Sequence, residues 1–281
     1  MNDDGDFLDA LRLVPRLKLD THADFAQAAG VTLPIAAINL PHRADRWRAV
    51  TRRMTAVGLD KLVHVPAVDG AQLDLQALQP LLAQPASLIE TAPRSHETMT
   101  RPAVGCFLSH LAVWRWLLET GLERILILED DATPAPGFDA ARLQSVVSAR
   151  ATASDLVLLG RIIMNGMAEE ADERALARIY YFNGTFAYLI TPAACRALMP
   201  ELLPMDGHID HRISRALIAR RNTFAAHSVE PPLFEPDWSL RSDCYVPLVG
   251  EAAADQELGA LLTRKRRLLL DEGRPLIPPM G

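Results

Sequence analysis

The amino-acid sequence predicts an α/β protein with a mostly parallel sheet and helices on both of its faces. Short apolar runs alternate with segments of helical periodicity along the chain, as in strand–helix–strand units. The runs at 35–40 and 124–128 have the length of buried strands, and polar residues follow each of them closely. With 281 residues, 49% of them hydrophobic, the chain is long enough to bury a core of this kind.

In the first half of the chain we predict three strands and two long helices. Residues 1–33 are expected to form a helical extension with short helices over 7–13 and 23–29. The strand at 35–40 leads into a helix ended by Gly58, in which apolar residues recur at helical spacing: Trp47, Val50, Met54 and Val57. A strand at 62–68, a short helix and a loop over 91–102 precede a strong helix at 104–119 and the strand at 124–128.

The second half continues the alternation with predicted strands at 155–160, 185–190 and 223–229. Thr191 and Pro192 open one further helix, with a capping residue and a proline in the first turn, and another helix covers 208–221. Ligands of open α/β sheets bind beyond the carboxyl ends of the strands. The functional site is therefore expected around the segments 40–46, 69–70 and 129–131.

Composition and charge narrow the functional classes. The formal net charge of −6 gives no indication of a nucleic-acid partner. No stretch approaches the roughly 20 apolar residues that span a bilayer, and the acidic start lacks the features of a secretory signal. Three cysteines without C-x-x-C spacing (Cys106, Cys195 and Cys244) disfavour a disulfide framework or a zinc site and favour a reducing compartment. We expect a cytoplasmic protein.

Three consecutive carboxylates, Glu129, Asp130 and Asp131, follow the apolar run RILIL. Like charges this close resist ionisation unless a cation or hydrogen-bond donors compensate them. A hard divalent ion is one compensation, and a solvated acidic turn is the plainer alternative. Arg43 and Arg46 follow the first strand at the same predicted edge, and guanidinium groups suit diphosphate oxygens, although arginines also lie on solvated helix faces. Together these residues describe a site for a nucleoside diphosphate.

Several motifs resemble those of a known family. AAINLPHRADRWRAV has the spacing N-L-x-x-R-x-x-R, VPAVDG ends in V-D-G, and VGCFLSHLAVWRWLLETGLERILILEDD joins G-C-x-x-S-H to L-E-D-D. They resemble glycosyltransferase family 25, the bacterial lipooligosaccharide galactosyltransferases and their procollagen galactosyltransferase relatives. The resemblance covers roughly residues 35–243, with looser matches in DLVLLG, GTFAYLITPAACRALM, LLPMDGHID and VEPPLFEPDWSLRSD.

The resemblance implies a GT-A-like, Rossmann-like fold, a UDP-sugar donor and a divalent ion, Mn²⁺ or Mg²⁺. It implies Asp131 as the direct metal ligand, and His227 is a second candidate with an ordinary structural histidine as the alternative. The expected donor-binding residues are Asn39, Leu40, Arg43, Arg46, Asp69, Gly70, Ser109, His110, Glu129 and Asp130. Of these, Ser109 and His110 are explained equally well as structural hydrogen-bonding residues.

Members of the family are thought to invert the sugar's configuration, which requires a carboxylate that takes the proton from the acceptor hydroxyl. Asp206 in LPMD matches a P-V-D element of the family and is the first candidate, with a helix N-cap as its alternative role. Asp210 lies one helical turn further on. Glu230 and Asp243 are fallbacks.

We therefore expect a domain at 34–250 that moves a sugar, galactose from UDP-galactose in the first instance, onto a saccharide or lipid-linked saccharide of a surface glycan such as lipopolysaccharide. A non-catalytic nucleotide-sugar- or glycan-binding module is the alternative. A nucleotidyltransferase is disfavoured because no G-x-x-x-x-G-K-[ST] loop occurs. Residues 251–281 are expected to be a basic amphipathic helix and tail, which either touches an anionic membrane surface or packs on the domain.

Overall fold

A computed structural model describes residues 11–19, 26–28, 31–91, 99–148, 156–162, 176–240 and 244 of the chain. The strands are β1 (Ala26–Ala28), β2 (Val31–Leu33), β3 (Ile35–Asn39), β4 (Leu62–Pro66), β5 (Ile125–Glu129), β6 (Ala132–Pro134), β7 (Leu156–Leu158), β8 (Leu176–Ile179), β9 (Ala187–Ile190), β10 (Ala226–Val229) and β11 (Phe234–Pro236). The helices are α1 (Ala44–Thr55), α2 (Ala86–Thr91), α3 (Arg101–Thr120), α4 (Ala140–Ser148), α5 (Pro192–Leu202) and α6 (Ile209–Ala219).

Seven strands form the central sheet in the order β4-β3-β5-β9-β7-β10-β8. β3 pairs in parallel with β4 and β5, and β7 pairs in parallel with β10. β9 runs antiparallel to β5 and β7, and β8 runs antiparallel to β10. Five of the seven strands therefore point the same way. The predicted α/β architecture with a mostly parallel sheet is confirmed, with β8 and β9 as its two reversed strands.

Both faces of the sheet are buried. Along β3, Ile35 and Ala37 pack into one hydrophobic cluster, while Ala36 and Ile38 pack into another on the opposite face. Helices α1 and α4 cover the first face, and α3, α5 and α6 cover the second. This two-sided burial explains why β3 and β5 are continuously apolar rather than alternating.

The ends of the two best-predicted helices follow from local chemistry. Thr100 caps α3 by accepting a hydrogen bond from the backbone of Ala103, and Gly121 ends the helix at φ 72°. The helix begins at Arg101, three residues before the predicted start. Thr191 caps α5 in the same way by accepting from Ala194, as its sequence predicts.

The prediction of a helix over 23–29 is wrong at 26–28, because the chain forms the strand β1 there. That strand pairs with β2 in antiparallel register, Ala26 opposite Leu33. Alanine has the highest helix propensity, but propensity is a weak determinant and pairing with a neighbouring strand overrides it here. Residues 11–13 are helical, within the predicted range 7–13.

Some predictions fall outside the residues that the structure describes. These are Asp243, most of residues 1–33, and the basic helix and tail at 251–281. The predicted domain boundaries stay predictions. None of the helices in the described part of the chain combines the length and the apolar character needed to cross a bilayer.

Candidate functional site

A cavity of about 330 Å³ opens at the carboxyl edge of β3, β4 and β5. Its volume lies at the lower end of the range of roughly 300–1,000 Å³ that small-molecule pockets occupy. Most of the residues predicted to bind donor or metal line it: Asn39, Leu40, Arg46, Asp69, Gly70, Ser109, His110, Glu129, Asp130 and Asp131.

One wall of the cavity depends on a close backbone contact. A Cβ atom on Gly105 would lie 2.5 Å from the carbonyl oxygen of Val68 and 2.7 Å from the amide nitrogen of Gly70, so α3 packs directly against that loop. Ser109, also on α3, accepts a hydrogen bond from the Val68 amide at 2.8 Å and donates one to the Gly105 carbonyl at 2.7 Å. Ser109 thus holds the loop that places Asp69 at the cavity.

The middle carboxylate of the triplet, Asp130, is neutralised within the protein. Arg46 donates to its Oδ1 at 2.9 Å and Asn39 donates to its Oδ2 at 2.8 Å, and all three residues are buried. Burial raises the pKa of Asp130, although Asn39 and Arg46 oppose that rise. The ion pair fastens the end of β3 and the start of α1 to the acidic turn.

The first carboxylate, Glu129, ends a chain of buried polar groups. Thr185 donates to Oε1 of Glu129 at 2.6 Å, and Nε2 of His110 lies 3.3 Å from the same oxygen. On its other side, Nδ1 of His110 is 2.9 Å from the Tyr188 hydroxyl, which accepts a hydrogen bond from the indole of Trp114 at 2.9 Å. Burial alone would raise the pKa of Glu129, but His110, Thr185 and Arg46 outweigh it and lower the pKa.

The third carboxylate, Asp131, differs from its neighbours. Its Oδ1 atom is buried and has no hydrogen-bond partner among the described residues. Burial, reinforced by the charges of Glu129 and Asp130, raises the pKa of Asp131 to about 8 even though Arg46 and Arg53 act against it. A buried carboxylate oxygen without a donor is stabilised by a cation, and Mg²⁺ and Mn²⁺ prefer oxygen ligands. The residues present therefore fit the predicted divalent ion.

A short two-stranded sheet backs the acidic turn. β6 pairs with β11, and the amide of Asp237 donates to the carbonyl of Asp131 at 2.7 Å. From α1, Arg53 donates to the carbonyls of Asp130 and Ala132 at 2.7 and 3.0 Å and to the Asp237 carboxylate at 3.0 Å. Arg53 therefore fixes the backbone of the turn and leaves the Asp131 side chain to the cavity.

Two predicted site residues are committed to ion pairs away from the cavity lining. Arg43 forms a two-pronged contact with Asp45 at 3.0 and 3.1 Å. Asp206 is bound by Arg212 at 2.9 Å and by Arg215 at 2.8 Å. Neither side chain lines the cavity that holds the acidic triplet.

His227 and Asp210 also lie outside the cavity lining. His227 is on β10, three strands from β5, which is about 14 Å at the usual strand spacing. The structure therefore separates His227 from Asp131 and does not unite the two predicted metal ligands. Asp210, in the first turn of α6, accepts from the Gly184 amide at 2.9 Å, next to the Thr185 that binds Glu129.

Several residues of the site were not predicted from the sequence. His42, Cys106 and Cys244 line the cavity, and Thr185 and Tyr188 hold Glu129 and His110. The pKa of the Cys106 thiol is raised well above its usual range, first by the neighbouring Cys244 thiol and then by burial and nearby acids. One signal was available, because Cys106 and His110 are four residues apart and therefore share a helix face.

Comparison with known proteins identifies relatives of the chain. The model of glycosyltransferase family 25 (LPS biosynthesis protein) matches residues 33–213. A glycosyltransferase 25 family member of Drosophila melanogaster is 32% identical over 227 residues, which is 75% of this chain and 37% of that protein. The inactive glycosyltransferase 25 family member 3 of Homo sapiens is 32% identical over 181 residues, 61% of this chain and 30% of the human protein. The chain thus spans about a third of the length of these relatives.

Two solved structures align with most of the chain but with low TM-scores. Mannose-1-phosphate geranyltransferase from Thermus thermophilus has a TM-score of 0.35 and 13% identity, over 70% of this chain and 73% of that one. The UTP-bound UGPase from Acinetobacter baumannii has a TM-score of 0.38 and 12% identity, over 86% of this chain and 100% of that one.

Proposed function

Because the chain belongs to glycosyltransferase family 25, we propose that it transfers a sugar from a nucleotide-sugar donor to a saccharide acceptor. The observation that carries the proposal is Asp131, a half-buried residue whose Oδ1 atom is buried and has no partner among the described residues, at a cavity on the carboxyl edge of the sheet. A cation beside that carboxylate would meet the diphosphate of a donor bound in the same cavity.

We propose Mn²⁺ or Mg²⁺ as the cation and Asp131 as its ligand. When bound, such an ion stabilises the negative charge that develops on a leaving diphosphate. The protein's own contribution is to hold the ligand in place. Arg46 and Asn39 compensate Asp130, Arg53 fixes the turn, and the Oδ1 atom of Asp131 is left without a compensating partner among the described residues. Asp69, His42 and Arg46 add polar groups to the cavity where the nucleotide would lie.

For the general base, Asp210 is better supported than Asp206. An inverting transfer needs a carboxylate that accepts a proton from the acceptor hydroxyl. Asp206 is held by two arginines, whereas Asp210 accepts only backbone amides in its described hydrogen bonds and lies beside the Gly184–Thr185 segment. We assign the proton-accepting role to Asp210.

The finer features of the proposal come from the family. We propose a UDP-sugar donor, with galactose first, on the basis of the motif resemblance. We also propose an acceptor in lipopolysaccharide or another surface glycan, in line with the family description, which names LPS biosynthesis. The second candidate is a binding module without turnover, and it is favoured by relatives that are named inactive. The cytoplasmic location and the membrane contact of residues 251–281 stay predictions.

Calorimetric titration with UDP in the presence and absence of Mn²⁺ tests the proposal. We expect binding that depends on the metal, together with slow release of UDP from UDP-galactose. Asp131→Asn should abolish metal-dependent binding, whereas Asp60→Asn, an exposed carboxylate far from the triplet in sequence, should keep it. Metal-independent binding of UDP without hydrolysis of any UDP-, GDP- or CMP-sugar would favour the binding module.

A further inference from the structure

The wall of the cavity holds a cluster of three different metal-ligating groups. The Sγ of Cys106, a ring nitrogen of His110 and a carboxylate oxygen of Glu129 all lie within 4.8 Å of one another. Cys106 and His110 project from one face of α3, one turn apart, and Glu129 ends β5. Two packed elements of the core thus converge on a single point.

The geometry of His110 indicates an unmet interaction at that point. Its side chain is 1% exposed, and Nε2 has no hydrogen-bond partner in the part of the chain that the structure describes. The 3.3 Å contact from Nε2 to Glu129 Oε1 is close in distance but is not aligned as a hydrogen bond. When one nitrogen and one oxygen atom bind the same tetrahedral zinc ion at about 2.0 Å each, the two atoms are also roughly 3.3 Å apart.

The groups behind His110 suit a ligating imidazole. With Nδ1 2.9 Å from the Tyr188 hydroxyl, the ring can donate its N–H to Tyr188 and present an unprotonated Nε2 to an ion. Trp114 donates to the same hydroxyl and fixes its position. Metal-bound histidines are commonly oriented by such a partner on the far nitrogen.

We propose that Cys106, His110 and Glu129 form a binding site for a thiophilic divalent cation of the zinc class. Sulfur and imidazole ligands select borderline-soft ions, whereas the oxygen-only Asp131 selects hard ones. The two sites are therefore chemically distinct although they line the same cavity. On binding, the Cys106 thiol loses its proton to solvent and its sulfur bonds to the ion, so that one proton is released for each ion captured.

The pattern of cysteines in the sequence disfavours a zinc site because paired C-x-x-C spacing is missing. That criterion detects closed structural sites built largely from cysteine. The present site uses one cysteine, and its other ligands come from the same helix and from a strand end. Three protein ligands leave one position for a water molecule or a ligand in the cavity, as in open zinc sites.

Cobalt titration of the metal-stripped full chain tests the site. We expect one equivalent of Co²⁺ to bind with a thiolate-to-cobalt charge-transfer band in the near ultraviolet, and we expect Zn²⁺ but not Mg²⁺ to abolish the band. Cys106→Ser and His110→Ala should each remove the band and the binding of that one equivalent of Co²⁺. Cys195→Ser, a buried thiol on α5, is the matched control and should leave both unchanged.

Asp131→Asn separates this proposal from the proposed function. It should lose Mn²⁺-dependent UDP binding and keep the cobalt band. X-ray absorption on the wild-type cobalt form provides a readout that requires no variant, with one sulfur neighbour expected at about 2.3 Å and nitrogen or oxygen neighbours at about 2.0 Å. A wild-type protein without the band, a band that persists in Cys106→Ser, or a spectrum with no sulfur neighbour would each overturn the site.

Discussion

At the scale of single residues, the acidic triplet shows that adjacent carboxylates can have three different environments. Glu129 is satisfied by Thr185 and contacts His110, and Asp130 is satisfied by Arg46 and Asn39. Asp131 has neither kind of partner for its buried oxygen. The protein therefore compensates two of the three carboxyl groups and leaves a buried oxygen of the third without a described partner.

The raised pKa of Asp131 predicts how the stability of the metal-free protein depends on pH. The unfolded chain releases this proton at a pKa of about 4, whereas the folded protein holds it up to about 8. Between those values the folded state binds more protons, so its free energy of unfolding falls as pH rises. We expect metal-free Asp131→Asn to melt at a higher temperature than wild type at pH 7.5, and the two to be similar near pH 4.5.

Adding Mn²⁺ completes the test. The ion replaces the missing compensation, so it should raise the melting temperature of the wild type at pH 7.5 and leave Asp131→Asn unchanged. Melting curves with and without Mn²⁺ at both pH values measure the effect. Equal stabilisation of the two proteins by the ion would contradict Asp131 as its ligand.

The ion pair of Arg46 and Asp130 predicts a large loss of stability on substitution. Arg46→Met leaves a buried carboxylate uncompensated, which typically costs about 3–5 kcal/mol. Arg43→Met removes the same group from an exposed pair with Asp45, which solvent screens, and should cost much less. Urea unfolding of both variants measures the difference. Similar losses would mean that burial of the pair contributes nothing.

At the scale of elements, the continuously apolar strands and the long helix were predictable from the sequence, whereas β6 and β11 were not. The helix α3 and the strands β3 and β5 are long or strongly apolar, and their predicted positions are confirmed within a few residues. β6 and β11 have three residues each and contain proline, so neither periodicity nor propensity marks them. They form because they pair with each other and are held by Arg53, which is a contact between distant parts of the chain.

The contact of α3 with the loop at 68–70 predicts a specific effect of Gly105→Ala. Alanine improves helix propensity by about 1 kcal/mol, but overpacking costs about 1–3 kcal/mol or more. The neighbouring atoms belong to the backbone and cannot rotate away, so the steric term wins and the loop carrying Asp69 is displaced. We expect a less stable protein whose Mn²⁺-dependent UDP affinity falls about tenfold, or ~1.4 kcal/mol.

Gly207→Ala is the control, because a Cβ at that position meets no atom within 4 Å. Its stability should stay within about 0.5 kcal/mol of wild type, and its UDP affinity should not change. Chemical denaturation and calorimetry on both variants provide the comparison. If Gly105→Ala behaved like Gly207→Ala, the close packing of helix and loop would not position the site.

At the scale of the whole molecule, the direction of the strands explains which residues of the site were predictable from the sequence. Residues at the carboxyl ends of β3, β4 and β5 were predictable because parallel strands place those ends at one edge. Thr185 and Tyr188 reach the same edge from β9, which runs antiparallel, and nothing in the sequence marks that reversal. Asp206 was predicted from its match to a family motif and is bound by Arg212 and Arg215, whereas His227 was predicted from the resemblance and lies three strands from β5.

The common direction of these strands predicts which segments a bound ligand protects from amide exchange. On addition of UDP and Mn²⁺, we expect slower amide exchange in the segments 40–46, 67–72 and 129–131, which border the cavity. Segments at the opposite edge, around Pro34 and Arg124, should exchange at unchanged rates. Hydrogen–deuterium exchange followed by mass spectrometry measures both regions. Protection at the amino edge alone would contradict the location of the site.

The hydrogen bond from the Asp237 amide to the acidic turn has a consequence for biosynthesis of the protein. The family match ends at residue 213, yet the amide that binds Asp131 and the carboxylate that binds Arg53 both belong to residue 237. A ribosome adding ~5–20 residues per second needs seconds to cover that interval. A nascent chain therefore acquires the support of Asp131, the proposed cation ligand, only after residue 237 has been added, and a product terminated before that residue would carry Asp131 without it.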